Sequence, residues 1–67
     1  MNNYDIIIDN YGTKRYYLND QLHRENGPAI ECPSGNKLWY LNGKCYGFKN
    51  DFTNKSWKKF VKTLIFF

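Results

Sequence analysis

The sequence predicts an α+β fold: an antiparallel β-meander of about five to six short strands with one C-terminal α-helix packed on one face. Three observations predict it. Ile7 to Asp20 returns nearly in kind as Ile30 to Gly43, with Gly12 matching Gly35 and Tyr17 matching Tyr40 at a constant offset of 23 residues. A fixed period of that size marks a repeat architecture. Turn residues punctuate both copies: Asn10-Tyr11-Gly12, Asn19-Asp20, Ser34-Gly35 and Asn42-Gly43. After Phe48 the pattern changes, and Trp57, Phe60, Val61 and Leu64 recur at i, i+3, i+4 and i+7, which is one face of a helix.

Each element follows in order. Tyr4 to Asp9 is β-branched and reads as a strand. Lys14 to Leu18 is the next strand, and Gln21 to Glu25 returns from the Asn19-Asp20 turn. Asn26-Gly27-Pro28 turns the chain into a strand from Ala29 to Cys32. Lys37 to Leu41 follows, then Lys44 to about Tyr46. The turns predict a register. Tyr17 faces Leu22 and Tyr16 faces His23; Tyr40 faces Cys45 and Trp39 faces Tyr46. A two-residue Ser34-Gly35 loop puts Cys32 opposite Lys37 and Ile30 opposite Trp39. Cys32 then shares a face with Trp39 and Cys45 lies on the other face, so the two thiols stay unbonded. Thr53 is a good N-cap, and Phe52 and Trp57 occupy the two positions of a hydrophobic staple. The helix runs from about Asn54 to Ile65. The chain reads as a single domain over 1–67, with hairpin repeats over 4–48 and a capping helix over 53–65.

A chain of 67 residues builds only a marginal core. With two cysteines it does not look like a secreted disulfide framework. The N-terminal residues lack a basic run, Ile6-Ile7-Ile8 is a short apolar stretch, and no segment approaches the ~20 apolar residues of a membrane span. The expectation is a cytoplasmic protein with no membrane partner. A net charge of +4 points toward acidic partners, nucleic acid among them, and equally serves solubility.

Two surfaces stand out as candidate binding sites. Lys55, Lys58, Lys59 and Lys62 share the helix face opposite the apolar one, with no acidic residue between them. Four ammonium groups there could meet phosphates or an acidic protein patch; a solvated helix face is the plainer reading. The aromatic fraction is 19%, and a thin domain cannot bury every ring. Tyr17, Trp39, Tyr40 and Tyr46 are therefore expected on an open sheet face, as anchors for a protein or platforms for bases; cross-strand pairing that merely stabilises the sheet is the alternative. His23-Arg24-Glu25 lacks a nucleophile, and one histidine with two cysteines is not a zinc set, so this cluster is expected to tie down the Asn26-Gly27-Pro28 turn. No catalytic site, metal or cofactor is expected. Ile65-Phe66-Phe67 is apolar enough to enter the core or to join two copies.

The segment from Tyr16 to Glu31, with Leu18-Asn19-Asp20-Gln21-Leu22-His23-Arg24-Glu25-Asn26-Gly27-Pro28-Ala29 at its centre, resembles a repeat of bacteriophage and giant-virus proteins of the form W-Y-x-N-G-K-x-H-R-x-D-G-P-A, a variant of the MORN repeat. Trp39-Tyr40-Leu41-Asn42-Gly43-Lys44 begins a second copy, which departs at Cys45-Tyr46-Gly47-Phe48. The resemblance spans roughly residues 6 to 64. It implies a β-hairpin array ending in a capping helix and a viral or mobile-element origin, but no shared activity. Size, charge and resemblance together suggest a non-enzymatic viral protein that binds a host protein or nucleoprotein complex in the host cytoplasm. Inhibition of a defence system such as a CRISPR effector is one concrete version. A nucleic-acid or anionic-nucleotide binding module using the basic helix is the rival, and a structural repeat protein is the third reading.

Overall fold

The computed structural model describes residues 4–65. Within them, turn chemistry sets the strands. Asp9 and Cys32 each open a three-residue loop with the same two bonds. Gly12 N–H donates to Asp9 O at 3.0 Å and Gly35 N–H to Cys32 O at 2.9 Å, while Asp9 and Cys32 donate to Thr13 O and Asn36 O at 3.1 and 2.9 Å. Gly12 and Gly35 sit at φ +84° and +99°, the left-handed position that such a loop requires. Asn19-Asp20 and Asn42-Gly43 have φ of 52° and 63°, and of 51° and 81°, the two positive values of a type I′ hairpin. The offset seen in the sequence is thus a repeat of turns.

These turns connect β1 (Asp5–Ile8), β2 (Lys14–Leu18), β3 (Gln21–Leu22), β4 (Ile30–Glu31), β5 (Lys37–Leu41) and β6 (Lys44–Phe48) in one antiparallel sheet of order β1-β2-β4-β5-β6. A 3-10 turn, Lys49–Asp51, leads to α1 (Asn54–Ile65). The α+β architecture is as expected, and three details differ. First, the return strand after Asn19-Asp20 is cut to Gln21–Leu22. Both β3 and β4 lie end to end along one edge of β2, with Tyr17 opposite Leu22 and Arg15 opposite Ile30. Residues 23–29 leave the sheet between them, yet still bond both ways: Tyr16 N–H donates to Ala29 O at 2.8 Å and Arg24 N–H to Tyr40 O at 3.2 Å.

Second, the loop at Pro33-Ser34-Gly35 is three residues long, so Ile30 faces Leu38 and Glu31 faces Lys37, one step from the expected pairing. The glycine takes the extra position that a two-residue loop lacks. By alternation Cys32 then belongs on the same side as Cys45. Both thiols are nonetheless free. β5 lies between their strands, and two strand spacings of about 4.8 Å exceed the reach of a disulfide.

Third, a bulge shifts the β5–β6 register, and Trp39 pairs with Gly47 rather than Tyr46. Tyr46 and Gly47 both turn toward the helix, as two consecutive residues of a bulge can. A Cβ at Gly47 would meet the Phe52 ring at 2.8 Å, so only glycine lets that ring close over the strand.

Thr53 caps α1 as expected: its Oγ1 accepts from Ser56 N–H at 3.1 Å, and Ser56 Oγ accepts from Thr53 N–H at 2.9 Å. Phe52 and Trp57 close the hydrophobic staple with ring centroids 4.8 Å apart. Trp39, Leu41, Trp57 and Val61 form the core, with Tyr46, Phe52 and Phe60 packed around them. Trp39 and Trp57 are fully buried, and each indole N–H reaches a carbonyl: Lys49 O at 3.1 Å and Arg24 O at 2.7 Å. Burial of rings this large, each about 2–3 kcal/mol, is how so short a chain makes a core. Leu64, expected on the buried face, is 40% exposed.

Candidate functional site

Strand pairing assigns the two faces of the sheet, since directly opposed residues share a face and neighbours along a strand alternate. Trp39 stacks on Trp57 at 5.4 Å, so Trp39 and Leu41 define the helix side. Leu38 and Tyr40 then define the open side. Two rows cross it. Ile7, Arg15, Ile30, Leu38 and Phe48 form the first, and Asp5, Tyr17, Leu22, Tyr40 and Cys45 the second. Most of these side chains are apolar, and α1 does not lie over them; Ile30 is nonetheless buried among its neighbours, Ile7 and Phe48 are exposed, and Tyr17, Leu22, Leu38 and Tyr40 are half-buried.

The four rings proposed from sequence therefore divide. Tyr17 and Tyr40 stand half-buried on the open face. Trp39 and Tyr46 do not: Trp39 is sealed under α1, and Tyr46 packs against Phe60 at 5.5 Å and Trp57 at 6.2 Å. The expectation of an open face carrying Trp39 and Tyr46 is corrected, because the bulge and the helix claim those two rings for the core. Burial, and then the neighbouring Cys45, raise the Tyr40 phenol above its ordinary value. A raised phenol stays neutral through the physiological range, so Tyr40 is available as a hydrogen-bonding anchor with a wide apolar body.

Lys55, Lys58, Lys59 and Lys62 are all exposed on α1, as expected. None forms an ion pair with another described residue. They face away from the sheet, so the basic stripe and the open face are separate surfaces. Ile65 ends α1, and Phe66 and Phe67 lie outside the described residues, as does the expected contact between copies through them.

His23-Arg24-Glu25 does tie down its turn, and it does more. His23 is buried beside Tyr4, the rings stacked at 6.3 Å. Its Nδ1 accepts Asn42 N–H at 2.9 Å, which places the ring proton on Nε2, facing Glu25 Oε2 at 3.1 Å. Tyr4 is raised by burial and then by the Glu25 charge. The Arg24 guanidinium lies 4.0 Å over the Tyr16 ring and donates to Pro28 O at 3.2 Å and Glu31 Oε1 at 3.0 Å. Its backbone carbonyl takes the Trp57 indole. This cluster joins the first copy, the second copy and the helix. Sequence reading saw only the turn. The signal was the departure of the second copy, where Tyr46-Gly47 replaces His23-Arg24 at the same repeat position.

Beside this cluster, Leu18, His23, Leu41, Tyr46 and Leu64 line a half-open cleft of about 470 Å³, with Glu25 and Asn42 at its polar end. Both nitrogens of His23 are committed to protein groups, so the ring is not placed to take a proton from a ligand. Among the described residues no group of three histidine, cysteine or acidic side chains could hold a metal ion, and no helix is long and apolar enough to cross a membrane. Against family models, curated proteins and solved structures, the chain has no match.

Proposed function

We propose that this chain is a non-catalytic protein-binding module that lays the open face of its sheet on a partner, with Tyr17 and Tyr40 as anchors. The partner presents an apolar patch with an acidic surround, matching apolar rows on a chain of charge +4. One observation carries this reading: two cross-strand rows of mostly apolar side chains lie on the face that α1 leaves bare. Contiguous apolar surface on a small domain marks an interaction site, and tyrosines at its centre are favoured anchors. The engaged nitrogens of His23 support a role without catalysis.

The resemblance to viral hairpin repeats gives this module a setting, the cytoplasm of an infected host, and a purpose, stoichiometric block of a host system such as a defence nuclease. The rival reading is nucleic-acid or anionic-nucleotide binding through Lys55, Lys58, Lys59 and Lys62, favoured by four exposed ammonium groups with no paired acid among the described residues. Capture from host lysate, with and without nuclease treatment, separates the two. One stoichiometric protein should survive nuclease, persist when the four lysines are changed to glutamine, and be lost with Tyr17→Ala plus Tyr40→Ala. Capture of nucleic acid alone, abolished by the lysine changes, would overturn the proposal. Its affinity would then fall log-linearly with salt, with a slope of roughly 0.7–0.9 per phosphate contacted.

A further inference from the structure

We propose that the outer edge of β1 is a self-association site, where a second copy of this chain adds its own β1 antiparallel. The ladder between β1 and β2 fixes which backbone groups of β1 face outward. Asp9 N–H donates to Thr13 O at 3.1 Å, so Asp9 and Thr13 form a hydrogen-bonded pair. Bonded and non-bonded pairs alternate along an antiparallel ladder. Ile7 and Asp5, opposite Arg15 and Tyr17, therefore turn their N–H and C=O groups to β2. Ile6 and Ile8 turn theirs to the outer edge, where the sheet order places no further strand among the described residues.

The repeat shows what such an edge accepts. Ile6, Ile7 and Ile8 occupy the positions of Ala29, Ile30 and Glu31 one copy later. There the equivalent edge is taken by β2: Tyr16 N–H donates to Ala29 O at 2.8 Å, and Lys14 faces Glu31. The consequence is visible in burial. Ala29 and Ile30 are 0% and 9% exposed, whereas Ile6, Ile7 and Ile8 are 53%, 52% and 61% exposed. The same structural position is filled by an antiparallel strand in one copy and bare in the other.

Soluble proteins protect sheet edges with lysine, proline, bulges or covering segments. β6 at the opposite end has such a bulge, and its last N–H, that of Phe48, is held by Asp51 Oδ2 at 2.9 Å. β1 has no lysine, proline or bulge. It also suits a copy of itself. Pairing about Ile6 sets Asp5 against Ile7 of the second copy and Ile8 against its Tyr4, so no like charges face each other. Pairing about Ile7 would oppose Asp5 to Asp9, which disfavours that register. The lysines of α1 sit over β5 and β6, at the far end of the sheet, so the net positive charge of each copy lies away from the joint.

Amide exchange and sedimentation of the intact chain test this. Between about 10 μM and 1 mM the chain should pass from monomer to dimer. The Ile6 and Ile8 amides should become protected over the same range, while Ile7, already bonded to β2, should be protected throughout. Ile8→Pro removes only an outward N–H and should weaken the dimer at least tenfold with β2 amides unchanged. Ile6→Lys should do the same through charge, should the proline variant fold poorly. Phe66→Ser plus Phe67→Ser should leave it intact. A chain that stays monomeric throughout, or a dimer lost with the Phe66 and Phe67 changes but kept by Ile8→Pro, overturns the proposal. So would a monomer whose Ile6 and Ile8 amides are protected only by an added foreign strand peptide.

Discussion

His23 and Arg24 hold together three parts of the chain that are far apart in sequence. The buried imidazole accepts the Asn42 N–H and faces Glu25, and the Arg24 carbonyl holds the Trp57 indole. His23→Ala removes a buried ring together with the acceptor of the Asn42 N–H, a cost of about 1–3 kcal/mol, enough to lower Tm by roughly 4–8 °C per kcal/mol in a domain of this size. Thermal unfolding followed by circular dichroism checks it. Gly47→Ala should be as damaging, at about 1–3 kcal/mol, because the new Cβ meets the Phe52 ring. Asp9 gives a pH dependence. The Arg15 guanidinium at 3.0 Å, and then the Thr13 N–H, hold its carboxyl below the usual value. Its folded pKa is depressed, so its contribution is present above the ordinary carboxylate pKa and is lost as the pH falls through the folded value. Asp9→Asn should flatten that part of the acid limb in a denaturation series. Turn glycines and the helix cap were legible in single residues, because each is a local requirement. The partners of His23 were not, since they come from Asn42 and Trp57, brought close only by the assembled sheet.

At the scale of elements, the second copy shows how the hairpin pattern gives way to a helix. In the first copy, β4 lies against the half of β2 that holds Lys14 and Arg15. In the second, the end of β6 takes the equivalent place against Leu38 and Trp39. The bulge makes that continuation possible, and α1 then covers the face through Phe52, Trp57 and Phe60. Thr53→Ala should cost about 1 kcal/mol and fray the first turn of α1, measurable as lost helical ellipticity before global unfolding. The existence of α1 and its bounds could be read from its periodicity and cap. The sides of the aromatic rings could not, because a single inserted residue in β6 and one extra loop residue at Gly35 each shift what faces what. Trp39→Ala is thus a change to the core, with an expected cost of about 3–5 kcal/mol, and it is unsuited to testing binding.

For the whole molecule, the account makes the two copies one cooperative sheet, closed on one side by α1 and bare on the other. The tyrosines of the bare face are then positioned by a scaffold that neither copy builds alone. The duplication was plain in the sequence; the seam between copies was not, because residues 23–29 carry no strand pattern and bond through irregular contacts. That seam is where native-state amide exchange tests the account most directly. The amides of Tyr16, Arg24, Ala29 and Gly43 bond at or across it, to Ala29 O, Tyr40 O, Leu38 O and Leu22 O. The account predicts that these four amides exchange only through global opening, with the same free energy as the β5–β6 amides. Seam amides that exchange through a separate, lower-energy opening, while β5, β6 and α1 stay protected, would contradict it.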